Sequence, residues 1–352
     1  MLRKIKQATL RSLKVAGVFD RVADSRWRRD RLLILCYHGT SLQDEHLWRP
    51  GLYIEPSVLE QRLEMLKTGG YSVLPLGEAL ERLQTGSLPA RSVVLTFDDG
   101  TYDFYKRAYP LLKRYGYPST VYQTTYYTDY ERPVFNLITS YMLWKKRGEV
   151  MPDGRELGLE QPMDLRTEAG RHQVVLGLLG LAAREQMSGA DKDALSARLA
   201  KFLGLDYEPL VATRIVQLMN AREVKEVAGN GVDIQLHTHR HRTPEDESLF
   251  RREIRDNRER IEALVSSKPV HFCYPSGVYR REFFQWLAKE QVESATTCDA
   301  GLVTRKSETF LIPRFIDNQC QRAIDFESWI SGVGDLLAVR RAATQRYVPV
   351  EV

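Results

Sequence analysis

The sequence predicts an α/β fold, a distorted barrel of seven or eight parallel strands surrounded by helices, with a helical insertion. Short apolar runs typical of buried strands alternate with segments of helical periodicity. Three polar motifs each follow the end of an apolar run, which is where catalytic groups collect in barrels of parallel strands. Seven or eight strand candidates is also the number needed to close a barrel.

Positive charge is concentrated in an N-terminal arm, residues 1–31. The arm has ten Lys and Arg residues against three Asp, a net charge of +7, so the other 321 residues carry about −2 because the whole chain carries +5. A nucleic-acid groove across the main domain is therefore not expected. The scattered apolar residues of the arm predict one of two arrangements: peripheral contact with an anionic membrane surface, or a basic helix packed on its own domain.

The location predicted for the chain is the cytoplasm, either free or bound peripherally to the inner face of the membrane. No apolar run is long enough for a transmembrane helix, and the arm lacks the apolar stretch and cleavage site of a secretory signal. The four cysteines are far apart and form no C-x-x-C pair, so they predict reduced, mostly buried thiols.

The first part of the barrel is predicted over residues 32–133. The continuous apolar run Leu32–Tyr37 predicts a buried strand, and leucines at helical spacing after Pro56 predict a helix that ends at Gly69. Further strands are predicted at 71–75, 92–97 and 119–123, and further helices at 76–84 and 105–115. This alternation is typical of a parallel sheet with helical crossovers.

Residues 134–217 interrupt the alternation and predict a helical insertion. They are rich in helix formers with apolar residues at helical spacing and show no clear strand. Such an insertion shapes a substrate pocket, forms an oligomer contact or serves packing alone. The second part of the barrel is predicted over residues 218–330, followed by a C-terminal tail at 331–352. Its predicted helices are 221–228, 244–266 and 281–290, and its predicted strands are 232–236, 270–274, 293–297 and 310–315.

The first polar motif, Thr96-Phe97-Asp98-Asp99-Gly100, ends the strand at 92–97. Two adjacent carboxylates at a strand end point in different directions, so one can bind a cation while the other takes a proton from a bound water. The same short sequence also occurs as a turn in ordinary proteins. Taken alone, the motif leaves both interpretations open.

The second motif, His237-Thr238-His239-Arg240-His241, follows the strand at 232–236. The imidazoles of His237 and His241 are four residues apart and can reach one ion from a helical turn or from a tight loop. A third, oxygen ligand would leave a coordination position open for water. The alternative is a polar loop in which histidines happen to cluster.

The third motif, Phe272-Cys273-Tyr274-Pro275-Ser276-Gly277, predicts a turn just past a strand. The exposed N–H groups of such a turn can stabilise a developing oxyanion. Turns with a Pro and a Gly are common, so this motif carries little information by itself.

Together and in this order, the three motifs resemble those of the polysaccharide deacetylase family, carbohydrate esterase family four, also called the NodB-homology domain. The resemblance covers roughly residues 32–130 and 218–317, with T-F-D-D-G as the first motif and H-T-H-R-H as the H-[S/T]-x-x-H motif. It implies a distorted barrel of the polysaccharide deacetylase type and a divalent metal, usually zinc, held by Asp99, His237 and His241. It also implies that Asp98 is the general base for a metal-bound water, and that a backbone N–H near Ser276 stabilises the oxyanion.

The chain departs from the commonest pattern of this family at two places. Cys273 occupies the position of an arginine, and no histidine follows residue 271. Some members are circularly permuted, with a leucine-rich strand and its histidine at the N-terminus, and Leu32–His38 resembles that segment. We therefore predict His38 as the general acid. For Arg314 we predict the missing role of orienting Asp98, with a structural salt bridge at the barrel rim as the alternative.

The resemblance implies a hydrolase that removes an acetyl or formyl group from an amino sugar in a polysaccharide or in a lipid-linked glycan precursor. Relatives that open amides and imides of non-carbohydrate substrates suggest a second function with the same metal. A catalytically inactive glycan-binding protein is a third, supported by the altered third motif alone. Four tyrosines in or just after the strand at 119–123 are predicted to stack on sugar rings or to pack: Tyr122, Tyr126, Tyr127 and Tyr130.

Overall fold

A curved parallel sheet organises the computed structural model, which describes residues 2–151, 153–159 and 163–338. The strands are β1 (Leu33–Tyr37), β2 (Gly39–Thr40), β3 (Tyr53–Ile54), β4 (Ser72–Val73), β5 (Ser92–Phe97), β6 (Thr120–Gln123), β7 (Val150–Met151), β8 (Met163–Asp164), β9 (Asp233–Leu236), β10 (His271–Cys273), β11 (Ser294–Thr296) and β12 (Phe315–Ile316). The main sheet has the order β11-β10-β9-β6-β5-β1-β12, with β4 paired to β5.

Helices cover this sheet and form most of the segment between β6 and β9. They are α1 (Leu2–Val15), α2 (Val18–Ala23), α3 (Arg26–Arg29), α4 (Glu45–Trp48), α5 (Pro56–Thr68), α6 (Leu76–Thr85), α7 (Tyr109–Tyr115), α8 (Phe135–Lys145), α9 (Glu168–Arg184), α10 (Gly189–Phe202), α11 (Tyr207–Ala212), α12 (Ala221–Gly229), α13 (Glu247–Glu262), α14 (Glu282–Lys289), α15 (Ala323–Ser331) and α16 (Val333–Leu337). A π-helical turn at Phe104–Ala108 precedes α7.

The two edges of the main sheet, β11 and β12, approach each other at a seam. A single parallel bridge, Thr296 to Ile312, joins β11 to the segment that leads into β12, and β12 pairs with β1. The strands therefore form a half-barrel and not a regular barrel with eight equal strands. The predicted α/β fold with a distorted barrel is confirmed in this form.

Strands β1 and β5 are neighbouring inner strands of the sheet and are buried along their whole length. Alternate residues face opposite sides: Leu33 and Leu35 pack in the cluster under the outer helices, whereas Ile34 packs in the interior cluster with Val94. Burial on both faces explains why these strands appear in the sequence as unbroken apolar runs.

Several predicted elements have different bounds in the structure. The strand predicted at 310–315 is reduced to β12, because Pro313 has no N–H to donate and the N–H of Arg314 bonds to Asp299 across the seam. The strand at 71–75 shrinks to β4, and the helix at 105–115 starts with the π-helical turn. The insertion, in which no strand was expected, contains the antiparallel pair β7 and β8.

We call residues 134–217 the helical insert. Its helices α8, α9 and α10 pack around their own apolar cluster, which includes Ile138, Leu178 and Leu199. Trp48 and Tyr53 of the barrel join the same cluster. This shared packing holds the insert beside the end of β1.

The N-terminal arm packs against α15. Leu10 and Phe19 are buried beside Ile324, and the guanidinium of Arg28 is fully buried, where it donates to three backbone carbonyls. Lys6 pairs with Asp325. The structure thus shows a basic helix packed on its own domain. None of the described helices is both long and apolar enough to cross a membrane. Of the predicted C-terminal tail, residues 339–352 lie outside the described residues.

Phe250 on α13 anchors this helix to the sheet, and we predict that Phe250→Ala strongly destabilises the fold. Its ring is fully buried and stacks on Phe283 at a centroid distance of 4.5 Å. Loss of the ring should lower the free energy of unfolding by about 3–5 kcal/mol, measured by urea denaturation. The control is Leu249→Ala on the same helix, where the side chain is 48% exposed. Equal losses in the two variants would contradict this packing.

Candidate active site

The carboxylates of Asp98 and Asp99 leave the end of β5 in different directions. The backbone of Asp99 has a φ of 71° and that of Gly100 a φ of 73°. A Cβ on Gly100 would lie 2.0 Å from Oε1 of Gln123, so only glycine allows this approach. The turn therefore directs Asp99 to the histidine motif and leaves Asp98 over the interior of the half-barrel.

Asp99, His237 and His241 form one compact group. Oδ1 of Asp99 lies 3.3 Å from Nε2 of His237 and 3.2 Å from Nε2 of His241. Burial raises the pKa of Asp99, but the two imidazoles outweigh burial and hold that pKa well below its usual range. Loss of solvent lowers the pKa of His241, and the Asp99 carboxylate more than reverses this effect. The three residues thus provide an ionised carboxylate between two imidazoles.

This donor group fits a divalent cation of the zinc type. Its ligand atoms all lie within 4.8 Å of one another. Nδ1 of His237 lies 2.8 Å from the carbonyl oxygen of Cys273, which can only accept, so Nδ1 carries the proton and Nε2 presents its lone pair. One carboxylate and two imidazoles are zinc ligands that leave room for a further ligand.

The loop 237–241 has a strained backbone. Thr238 has a φ of 62° and His241 a φ of 54°, values that are unfavourable for non-glycine residues and above all for a β-branched one. The hydroxyl of Thr238 accepts a hydrogen bond from the N–H of Arg242 and thereby supports the loop. His239 points its Nδ1 to the hydroxyl of Thr125 at 2.8 Å and does not join the group around Asp99.

Two residues of α13 hold this loop and were not predicted. The buried carboxylate of Glu253 accepts hydrogen bonds from the N–H of Arg240 and from the side chains of Arg240 and Arg242. The side chain of Asn257 accepts from the N–H of His237 and donates to Thr125. The signal in the sequence is spacing, because Glu253 and Asn257 are four apart and next to the apolar stripe of the same helix.

Arg314 forms a bidentate ion pair with Asp98. Both nitrogen–oxygen distances are 2.7 Å, and both side chains are buried. Further hydrogen bonds to the carbonyl of Thr297 and the hydroxyl of Thr96 fix the guanidinium. This contact with Asp98 is compatible with both interpretations of Arg314, orientation of Asp98 and a structural salt bridge at the barrel rim.

The ion pair is strongly coupled, and its electrostatics keep both members charged. Burial raises the pKa of Asp98, but Arg314 overrides burial and holds that pKa far below its usual range. Burial also raises the pKa of the Cys273 thiol, so this thiol is neutral where it lies 3.4 Å from Asp98. Each carboxylate oxygen has two acceptor sites, so Asp98 retains the capacity to accept another proton donor.

His38 lies at the end of β1 with its Nε2 3.7 Å from Oδ2 of Asp98. Of the predicted oxyanion group, Pro275 has no N–H, and Tyr274 and Gly277 donate theirs to the carbonyls of Thr296 and Tyr274. The missing N–H of Pro275 and the two hydrogen bonds made by Tyr274 and Gly277 argue against a donor role for these three residues. Ser276, with a φ of 55°, lines the same cavity as Asp99 and stays the candidate donor.

A cavity of about 560 Å³ opens onto these groups and is lined by His38, Asp98, Asp99, His237 and His241 among others. Tyr126 and Tyr127 also line it, in agreement with contact to a substrate. The sugar-stacking prediction is wrong for Tyr122, because its side chain is fully buried and lies under the guanidinium of Arg314. Tyr130 packs against Tyr127.

The fold is that of known deacetylases. A Streptococcus pyogenes deacetylase, PplD, solved in complex with acetate, superimposes with a TM-score of 0.54 at 20% sequence identity, over 82% of this chain and 93% of that one. IcaB from Ammonifex degensii superimposes with a TM-score of 0.53 at 17% identity, over 86% and 97% of the two chains. At these identities the likeness establishes the fold alone.

The sequence is similar to the polysaccharide deacetylase family. The profile of this family matches residues 85–158 and 210–295. The poly-β-1,6-N-acetyl-D-glucosamine N-deacetylase of Escherichia coli (strain K12) is 28% identical over 99 residues, which are 28% of this chain and 14% of that protein. The enzyme of the same name from Staphylococcus aureus (strain N315) is 37% identical over 67 residues, 19% and 23% of the two chains. The chain thus spans less than a quarter of these relatives.

Loss of a residue that only holds a metal ligand in place weakens metal binding by roughly 10–100-fold. We predict that His237→Ala weakens zinc binding by more than this, because it removes a ligand itself. Calorimetric titration of the metal-free protein with Zn²⁺ measures this change. His239→Ala is the matched control from the same loop and should leave the affinity near that of the unmodified protein. Similar affinities of the two variants would show that Asp99, His237 and His241 do not hold the ion.

Arg314→Met should lower the free energy of unfolding by about 3–5 kcal/mol at pH 7, because it leaves a buried carboxylate without a partner. In the native chain Asp98 stabilises the fold above the unfolded pKa of about 3.9, and this contribution is lost as pH falls through the depressed folded pKa. In the variant the isolated carboxylate takes up a proton more readily. The difference between the two proteins should therefore shrink as pH falls from 7 to about 4.

Urea denaturation at both pH values measures this difference. Arg281→Met, which removes an exposed pair with Glu308, is the control and should change stability little. A pH-independent loss would mean that Arg314 acts through packing and not through its charge.

Proposed function

We propose that the protein is a metal-dependent hydrolase that removes an acetyl or formyl group from an amino sugar of a glycan. The observation that carries this proposal is the position of Asp99 between two imidazoles at 3.2 and 3.3 Å, in one cavity with Asp98, which pairs with the buried Arg314. The names of the two curated relatives, both poly-N-acetylglucosamine N-deacetylases, support the bond and the kind of sugar.

Asp99, His237 and His241 would hold the divalent cation, most readily zinc. When bound, such an ion polarises the acyl carbonyl and makes water a stronger acid. Asp98 accepts the proton of the attacking water. The low pKa of Asp98 keeps its carboxylate ionised, and the two hydrogen bonds from Arg314 fix its orientation.

The departing amine needs a proton, and His38 is the proposed donor. It lines the cavity and lies within reach of Asp98. The N–H of Ser276 is proposed to stabilise the oxyanion of the tetrahedral intermediate, because it belongs to a turn next to the carbonyl that orients His237. The predicted cytoplasmic location and the contact of the arm with anionic lipid stay predictions.

Asp98→Asn leaves the buried guanidinium of Arg314 with a neutral partner and should therefore destabilise the fold. In the folded, metal-loaded fraction it should lower kcat by about 10²–10⁴-fold, the range for loss of a general base. Release of acetate from β-1,6-linked N-acetylglucosamine oligomers by the zinc-loaded protein measures this loss.

Asp103→Asn is the matched control, because burial raises the pKa of Asp103 to about 8 and its carboxyl is mostly neutral at pH 7. That variant should keep most of the activity. Acetate release by Asp98→Asn at the native rate would refute the assigned base. Failure of the native protein to release acetate or formate from any acylated amino sugar would refute the function.

A further inference from the structure

The cavity that holds Asp98 and Asp99 is also lined by the helical insert. Among the described residues, the insert contributes seven to its walls, and five of these are apolar: Val134, Phe135, Leu137, Leu179 and Val216. Leu52 and Leu218 of the barrel extend the same apolar surface. One cavity therefore combines a polar, metal-binding part with a largely apolar part.

The apolar part of the cavity does not suit a sugar. Hydroxyl groups need hydrogen-bond partners, and burying them against aliphatic side chains is unfavourable. Leu52 is 37% exposed and Tyr126 is 41% exposed, so this surface includes apolar side chains that meet water when no ligand covers them. Covering it with hydrocarbon is favourable by roughly 25 cal/mol for each Å² removed from water. The chemistry of this part therefore matches an alkyl group.

Part of this wall lies outside the sequence shared with the family. The family profile stops at residue 158 and resumes at 210, whereas Leu179 of α9 and Lys192 of α10 lie between these limits and line the cavity. The proposed metal ligands thus all lie in the matched segments, as do Val134, Phe135, Leu137 and Val216 of the insert, whereas Leu179 and Lys192 come from the stretch that the profile does not match. A difference in substrate from members of the family would be located here.

We infer that the substrate is an acylated amino sugar whose anomeric oxygen carries an alkyl or prenyl chain, and that the insert binds this chain. For the sugar end the inference rests on the function proposed above. The acyl group lies at Asp99 and Asp98, and the hydrocarbon lies against Leu137, Leu179 and Val216. The lipid-linked precursor is therefore favoured over a long polysaccharide as the natural substrate.

Two neutral probes test the inference: the methyl and octyl β-glycosides of N-acetylglucosamine, used below the micelle concentration. Calorimetry measures the Kd of each for the zinc-loaded protein. Each buried methylene should lower Kd about fourfold, so burial of three gives about 60-fold tighter binding of the octyl glycoside. Leu179→Asn should reduce this ratio to below about 10-fold while leaving the methyl glycoside unaffected. Leu176→Asn, on the same helix but 43% exposed and outside the cavity, should leave the ratio unchanged.

The outcomes separate the two proposals. Equal Kd values for both glycosides, or tighter binding of a β-1,6-linked tetramer than of the octyl glycoside, would overturn the inference even if acetate is released. A smaller ratio of the methyl to the octyl Kd in both Leu179→Asn and Leu176→Asn would place the hydrocarbon chain elsewhere and would also overturn the inference. Tight octyl binding that depends on Leu179, without acetate release from any probe, would support the lipid pocket and refute the hydrolase.

Discussion

The buried ion pair between Arg314 and Asp98 is the interaction on which the site depends. It joins the end of β5 to the segment before β12, two parts of the chain that are 216 residues apart, and it lies where a single bridge joins the sheet edges. Because the guanidinium also bonds Thr96 and Thr297, the pair fixes the end of β5 relative to the seam. The same contact therefore supports the fold and keeps the proposed base charged.

The loop 237–241, which is proposed to hold the metal, depends on a second buried carboxylate. Glu253 pairs with the guanidinium groups of Arg240 and Arg242 and accepts a hydrogen bond from the N–H of Arg240. Asn257 accepts a hydrogen bond from the N–H of His237. These bonds offset the cost of positive φ at Thr238 and His241. The loop thus acquires its shape from α13, and the imidazoles are oriented before any ion binds, which lowers the entropy lost on binding.

Much of this arrangement was predictable from sequence, because the strands and the first two motifs have strong local signatures. β1 and β5 are apolar on both faces, and the motif residues come directly after strand ends. The seam was not predictable, since Pro313 and Arg314 replace ladder hydrogen bonds with side-chain contacts to distant residues. Glu253 was missed for a related reason: on a helix as charged as α13, a buried carboxylate looks like a solvated one until its partners are known. Likewise, the burial of Tyr122 depends on which face of β6 points inward.

The position of β1 in the sheet has a consequence for how the chain folds. This strand pairs with β5 on one side and with β12 on the other, and Phe315 of β12 follows its partner Leu35 by 280 residues along the chain. Until residue 316 leaves the ribosome, one edge of β1 stays open and Asp98 lacks its counter-charge. Contacts that join distant parts of a chain form slowly, and open strand edges aggregate. A stage with this open strand edge therefore precedes the complete sheet during synthesis, and the Asp98–Arg314 pair forms only after β12 has been made.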